Sequence, residues 1–72
     1  MKLPSKKQVK KIKRQYPIGT KLRLISMADE QAPPKGTIGE VSHIDDIGTI
    51  HMKWNNGSSL GLIVGKDKSE KV

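Results

Sequence analysis

The segment Gly36–Gly65 constrains the fold more than any other part of the chain, because apolar and polar residues alternate along it between turns that contain glycine. Ile50, Met52 and Trp54 are separated by single polar residues. A period of two is typical of a β-strand that buries one face. The pattern therefore predicts a strand over Thr49–Trp54 with these three side chains pointing inward.

Two turns flank this strand. Asn56-Gly57 predicts a type I′ turn with two positive-φ residues, and Asp45–Gly48 predicts a turn in which an Asp side chain accepts from the backbone. A strand over Thr37–Ile44 should precede, with a bulge near Ser42-His43 that brings both Val41 and Ile44 inward. A return strand over Ser59–Val64 should follow. The inward residues predicted for that return strand are Leu60, Leu62 and Val64.

A helix is predicted before the strands. Ser5 and Gln8 have the spacing of a capping box, and Pro17 ends the helix because the residue before a proline is disfavoured in the α region. The helix should end at about Gln15 or Tyr16. Its apolar residues form one narrow stripe, which consists of Val9, Ile12 and Tyr16.

Between the helix and Gly36, the alternation of Lys21–Ile25 predicts the first strand. The loop Ser26–Lys35 contains Pro33-Pro34 and should lie outside the sheet, because proline cannot donate to a ladder. In the polar tail Lys66–Val72, only Val72 suggests a short closing strand. The expected fold is a mainly β, small barrel of four to five antiparallel strands preceded by one basic α-helix.

The charge is unevenly distributed. Of the 14 Lys and Arg residues, seven lie within residues 1–16, which contain no acid. The other seven balance the seven Asp and Glu residues of the remaining chain, so the net charge of +7 belongs to the first segment. We therefore divide the chain into a basic N-terminal arm, residues 1–16, and a barrel domain, residues 17–72.

Composition limits the class of protein. The 72 residues are enough for one domain with a small core, and the absence of cysteine fits a reducing compartment. No apolar run approaches the ~20 residues of a membrane-spanning helix, and no apolar stretch of the signal-peptide kind follows the basic start. We expect a cytoplasmic protein that does not span a membrane.

Several motifs together resemble a bacterial and phage family of short SH3-like β-barrel domains, domain-of-unknown-function family 4314. They are Pro33-Pro34-x-Gly36-Thr37-x-Gly39-x-Val41, Trp54-x-Asn56-Gly57-Ser58 and Ile63-x-Gly65-x-Asp67. The resemblance covers roughly Pro17–Asp67 and leaves out the first sixteen residues. It implies an SH3-like fold and no catalytic residue. A more distant likeness is to the SH3-like repeats of Mind-bomb-type ubiquitin ligases, which recognise peptides.

Candidate catalytic and ligand-binding residues are few. His43 and His51 flank Asp45-Asp46, which would supply a general base if a histidine met a carboxylate, or would simply be turn and surface residues. Two histidines without cysteine make a poor zinc site. Trp54 would serve either as a peptide-binding platform or as a core residue, and its apolar neighbours favour the core. We predict no enzyme activity, no metal and no cofactor.

The basic arm carries the main functional hypothesis, which is binding to nucleic acid without sequence specificity. A solvated basic face or a partly disordered tail would have the same composition. The predicted phosphate contacts are Lys6, Lys7, Lys10, Lys11, Lys13 and Arg14 on the arm, with Lys21, Arg23 and Lys53 on the barrel. The alternative is a protein-protein interaction module, such as a phage or mobile-element accessory. Its surface would be a barrel rim made of Asp29–Lys35, Asp45–Gly48 and Asn55–Ser58.

Overall fold

A computed structural model of the chain describes residues 4–72. Met1–Leu3, which include Lys2 of the predicted arm, lie outside the described residues. One helix precedes five antiparallel strands, which confirms the predicted mainly β architecture. The elements are α1 (Lys6–Gln15), β1 (Lys21–Ser26), β2 (Ile38–Ile44), β3 (Thr49–Trp54), β4 (Leu62–Ile63) and β5 (Lys68–Lys71).

Helix α1 begins at the predicted capping box. The Ser5 hydroxyl accepts from the Gln8 amide at 3.2 Å, and the Gln8 side-chain oxygen accepts from the Ser5 amide at 2.8 Å. At the other end, Tyr16 is the C-cap and its amide donates to the Ile12 carbonyl oxygen at 2.9 Å. The helix therefore ends immediately before Pro17, as predicted from proline sterics.

The strands form one sheet in the order β4-β3-β2-β1-β5. The register of β2 against β3 shifts between Val41 and His43, which confirms the predicted bulge. Val41 is buried and Ile44 is partly buried against the core. Within residues 4–72 no ladder joins β4 to β5, so the sheet is open along this seam.

The fifth strand is formed by Lys68–Lys71, and its pairing with β1 continues at Val72, whose amide donates to the Lys21 carbonyl at 3.1 Å. It pairs with β1, where Arg23 lies opposite Glu70 and Leu24 opposite Ser69. Because every residue of β5 is polar, its sequence has no alternation of apolar and polar residues that would predict a strand. The pairing places the end of the described chain beside its first strand.

The turn after β3 is not type I′. Asn56 has a negative φ, and only Gly57 is in the left-handed region, with φ +89°. The Gly57 amide donates to the Trp54 carbonyl, and the Trp54 amide donates to the Ser58 carbonyl, each at 3.0 Å. This is the three-residue connection in which a turn is followed by a left-handed glycine. The turn Asp45–Gly48 uses the same pattern, with Gly48 at φ +82°.

The predicted return strand Ser59–Val64 is also shorter than expected. Only Leu62–Ile63 pairs with β3, and Val64 is 49% exposed, so its predicted inward position is wrong. The backbone upstream is held differently, because the indole N–H of Trp54 donates to the Leu60 carbonyl at 2.8 Å. This side-chain hydrogen bond holds the segment before β4 in place without pairing it to a strand.

The core is built from the sheet and from one face of the helix. Trp54 is 3% exposed, which confirms its predicted core role. Pro33-Pro34 lies in the long β1–β2 connection outside the sheet, as predicted, although Pro33 itself is buried. Ile12 of the helix joins the core cluster, whose other members are Leu22, Leu24, Val41, Ile50, Met52, Trp54 and Leu62.

No helix in residues 4–72 has the length and apolar character that a bilayer crossing requires.

Candidate nucleic-acid interface

Helix α1 lies over the turn between β2 and β3. A Cβ atom added to Gly48 would lie 3.3 Å from the Cδ1 atom of Ile12 and 3.6 Å from the Cγ2 atom of Val9. Gly48 therefore satisfies the turn's positive φ and the close approach of the helix at the same position. Because Val9 and Ile12 are both buried, the apolar stripe determines which face of the helix meets solvent.

The cations of α1 occupy the face away from this contact. At about 100° per residue, Lys7, Lys10, Lys11 and Arg14 lie opposite the buried stripe. Lys6 and Lys13 lie along one flank. All six side chains are exposed, so the structure brings together the six arm cations predicted from the sequence.

No carboxylate in the described chain neutralises this face. The helix itself contains no Asp or Glu. Among residues 4–72, Arg23 forms an ion pair with Glu70 and His51 contacts the Asp45 carboxylate, and neither contact includes a helix residue. Lysines spaced four apart along the helix repel one another by a few tenths of a kcal/mol per pair. A phosphate backbone would relieve that repulsion.

The three predicted barrel cations have a different environment. The Arg23 guanidinium donates to the Glu70 carboxylate at 2.8 Å. Lys21 and Lys53 both lie opposite Glu40 in the sheet register, one from each side. Residues directly opposite each other in antiparallel strands interact through their side chains. These cations are therefore partly balanced by acids, whereas the helix cations are not.

Two further cations lie beside the helix and were not among the predicted contacts. The ammonium of Lys71 lies 5.3 Å from the centroid of the Tyr16 ring, within cation–π range. Lys66 lines the same groove as Lys11. The sequence gives no local signal for either position, because Lys66–Lys71 mixes basic and acidic residues without a pattern. The pairing of β5 with β1 positions Lys71, and the turn after β4 positions Lys66.

The predicted meeting of a histidine with a carboxylate does occur. The Nε2 atom of His51 lies 2.8 Å from Asp45 Oδ2, and its ring stacks on that of His43 with centroids 4.2 Å apart. The hydrogen bond with His51, together with those from the Thr49 and Ile47 amides, lowers the pKa of Asp45 below its usual value. These contacts make Asp45 the organising residue of its turn.

A hydroxyl lies beside this cluster, that of Ser42, whose Oγ lies 3.4 Å from His43 Nδ1. That distance is long for a hydrogen bond between a nucleophile and a base. In the described part of the chain, no group of three or more His, Asp or Glu side chains is arranged to hold a metal ion.

The predicted barrel rim is divided between two ends of the sheet. The Asn55 amide donates to the Ile38 carbonyl, which places Asn55–Ser58 at the start of β2, near the β1–β2 connection. Asp45–Gly48 follows the end of β2, about 20 Å away along a seven-residue strand. Because antiparallel connections alternate between ends, the three rim segments do not form one surface.

Comparison of the chain with known proteins identifies one family. A family model described as Domain of unknown function (DUF4314) matches residues 5–72. The match begins at the N-cap of α1 and includes β5, so it is longer at both ends than the resemblance over Pro17–Asp67. No curated protein and no solved structure matches the chain.

Two of the family motifs now have a structural role. In Ile63-x-Gly65-x-Asp67, an Asp67 carboxylate oxygen accepts from the Ile63 amide at 2.8 Å, and the Asp67 amide donates back to the Ile63 carbonyl at 2.9 Å. In Trp54-x-Asn56-Gly57-Ser58, the left-handed glycine makes the turn. With nearly the whole described chain matched, the protein belongs to the family of Domain of unknown function (DUF4314).

Proposed function

We propose that this protein is a non-enzymatic binding module that attaches to the nucleic-acid backbone, without sequence specificity, through the outer face of α1. The observation that supports the proposal is the set of six exposed cations on one capped helix, none of which forms an ion pair with a carboxylate of residues 4–72. In keeping with the resemblance, we place it in the cytoplasm of bacteria, with phage or mobile-element origin as a further expectation.

The dimensions of the helix suit a phosphate backbone. Its ten residues span about 15 Å at 1.5 Å per residue. Duplex DNA carries one phosphate charge per about 1.7 Å of axis, so several phosphates lie within reach of one helix. The four cations opposite the buried stripe would contact phosphates first, while Lys6 and Lys13 would contribute from the flank.

The phosphate backbone is the favoured target for these side chains. Lysine is a point charge on a flexible stem, which contacts phosphates without reading bases. The chain has one Trp, one Tyr and no Phe, and Trp54 is buried in the core. The scarcity of aromatic side chains in the described chain therefore argues against stacking of bases, the usual mode of single-strand recognition.

The salt dependence of binding tests the proposal. Four phosphate contacts predict a slope of log affinity against log salt of about −3.6, which is a loss of about 10² between 50 and 200 mM salt. Fluorescence anisotropy with labelled duplexes of two unrelated sequences measures both the slope and the absence of sequence preference. Equal affinity at the two salt concentrations would contradict the proposal.

Charge-matched variants locate the interface. Replacing Lys7, Lys10, Lys11 and Arg14 together by glutamine should reduce duplex affinity at least about 10²-fold at 50 mM salt and flatten the slope. The control replaces the same number of exposed barrel cations by glutamine, namely Lys21, Lys35, Lys53 and Lys68. A control variant that loses as much affinity as the helix variant would show that total charge, and not α1, determines binding.

The alternative function, a protein-interaction module acting through the barrel rim, has less support because the three rim segments lie at opposite ends of the sheet. Asp29–Lys35 and Asn55–Ser58 share one end of the sheet, so a partner bound there would contact those two segments without Asp45–Gly48.

A further inference from the structure

A groove of about 800 Å³ runs between α1 and the turn that follows β4. Gln8, Lys11, Ile12 and Gln15 line the helix side. Across from them lie the β2–β3 turn with Ile47 and the segment Ile63–Lys66. The helix contacts the β2–β3 turn at Gly48, and the groove lies beside this contact, between the helix and the segment Ile63–Lys66.

Several exposed apolar side chains line this groove. Among the large apolar side chains that are exposed in residues 4–72, three line it: Ile47 at 51%, Ile63 at 38% and Val64 at 49%. The other two, Ile18 and Val72, do not. Contiguous exposed apolar surface of this kind marks interaction sites more often than scattered single residues do.

The charge of the groove indicates the chemistry of its occupant. Lys11 on the helix and Lys66 on the opposite wall are its charged residues, and no carboxylate among residues 4–72 lines it. The amides of Gln8 and Gln15 add donors and acceptors along the helix wall. An occupant that combines aliphatic side chains with Asp or Glu would complement both the apolar floor and the basic walls.

The exposed edge of β4 is not available for pairing with an added strand. The outward amide of Ile63 donates to the Asp67 carboxylate, and its carbonyl accepts from the Lys66 and Asp67 amides at 3.1 and 2.9 Å. With these backbone groups paired, a peptide would be held by side-chain burial and ion pairs rather than by a new ladder.

We propose that this groove, which we call the α1–β4 groove, is a docking site for a short segment of a partner protein that presents aliphatic residues flanked by Asp or Glu. The site overlaps the nucleic-acid face at a single described residue, Lys11. Its occupancy leaves Lys7, Lys10 and Arg14 free.

The test uses three fluorescein-labelled peptides of equal length and the full chain at about 150 mM salt, where long-range charge effects are screened. One peptide contains Leu with Asp and Glu, a second replaces Leu by Ser, and a third replaces the acids by Lys. We expect the first to bind at least about tenfold more tightly than either of the others. Equal binding of the Leu and Ser peptides would overturn the proposal, because it would show simple charge attraction.

Matched variants place the peptide in the groove. Val64→Glu should weaken binding of the Leu peptide about tenfold or more, whereas Ile18→Glu, the same change at an exposed apolar residue outside the groove, should change it less than about twofold. Ile47→Ser provides a second groove variant at an exposed turn position and should also weaken binding. Circular dichroism confirms that each variant is folded. Equal effects of Val64→Glu and Ile18→Glu would refute the assignment.

Two further readouts distinguish the peptide site from the nucleic-acid face and from a dimer interface. Lys7→Gln with Lys10→Gln and Arg14→Gln should weaken duplex binding and leave Leu-peptide binding within about twofold. Sedimentation equilibrium should give a monomer at all concentrations used. A dimer that Val64→Glu dissociates would identify a second copy of this chain as the occupant and overturn the proposal of an acidic partner segment.

Discussion

The Nε2 atom of His51 lies 2.8 Å from the Oδ2 atom of Asp45, which links the third strand to the turn that precedes it. The other carboxylate oxygen of Asp45 accepts from the Thr49 and Ile47 amides at 2.9 and 3.1 Å. One carboxylate therefore organises the turn on which α1 rests. These hydrogen bonds favour the ionised form and lower its pKa.

The first prediction concerns pH. Because the pKa of Asp45 is lower in the folded protein than the ordinary value of 3.8, the stabilisation is complete above that value and is lost as pH falls through the folded-state pKa. Asp45→Asn should therefore lower the free energy of unfolding at pH 5 by about 1 kcal/mol or less, as for partly exposed charged contacts, and by progressively less as the pH falls below 3.8. Urea unfolding across this range measures the difference. Asp46→Asn, an exposed neighbour, is the control, and a deficit for Asp45→Asn that is independent of pH would contradict the prediction.

The second prediction concerns the packing of Trp54 over Gly39. A Cβ atom at Gly39 would lie 2.7 Å from Trp54 Cε3 and 2.9 Å from the Lys53 carbonyl oxygen, so the ring and a backbone group would both have to move. Gly39→Ala should lower the free energy of unfolding by about 1–3 kcal/mol through overpacking. Gly57→Asn is the comparison, because that glycine has open space around it and Asn tolerates positive φ. A smaller loss at Gly39 than at Gly57 would show that the ring adjusts freely.

The third prediction concerns the bond from Trp54 to Leu60. Trp54→Phe keeps an aromatic ring in the core but removes the N–H that donates to the Leu60 carbonyl. We expect a loss of about 2–3 kcal/mol, from the unpaired carbonyl and the smaller ring together. Thermal unfolding followed by circular dichroism measures it. Tyr16→Phe, which removes a polar group from a half-buried ring, should cost much less, and equal losses would argue against a special role for the indole bond.

The fourth prediction concerns the order of the basic helix. Ser5→Ala removes the N-cap acceptor and should lower stability by about 1 kcal/mol, with reduced helical circular dichroism, because lysine repulsion leaves α1 little reserve. Ser5→Asp preserves an acceptor and adds a favourable charge at the helix N-terminus, so it should equal or exceed the wild type. Reduced helicity in both variants would show that the cap does not control the helix.

Local patterns were sufficient for much of the fold. The capping box and Pro17 predicted both ends of α1, and the alternation of Ile50, Met52 and Trp54 predicted β3 and its buried face. The three-residue gap between Val41 and Ile44 predicted the bulge. Each of these signals comes from steric preferences or from hydrophobic periodicity among neighbouring residues. Such signals can therefore be read from the sequence alone.

The two candidate sites also differ in whether the sequence predicts them. The clustering of six arm cations follows from helical periodicity, because a buried stripe on one face places the remaining residues outward. The α1–β4 groove had no local signal. It exists because Gly48 lets the helix sit on one turn while Ile63–Lys66, distant in sequence, forms the facing wall.

Neighbouring residues along the chain were enough to specify the helix, three of the strands and the location of the excess positive charge. The pairing of β5 with β1, where Arg23 meets Glu70 from 47 residues away, required the folded structure. So did the turn type at Gly57, the short β4 and the exposure of Val64. The physical reason is that a polar edge strand is fixed by backbone hydrogen bonds with a distant strand, and a turn conformation by local hydrogen bonds, and neither leaves a hydrophobic periodicity in the residues that form it.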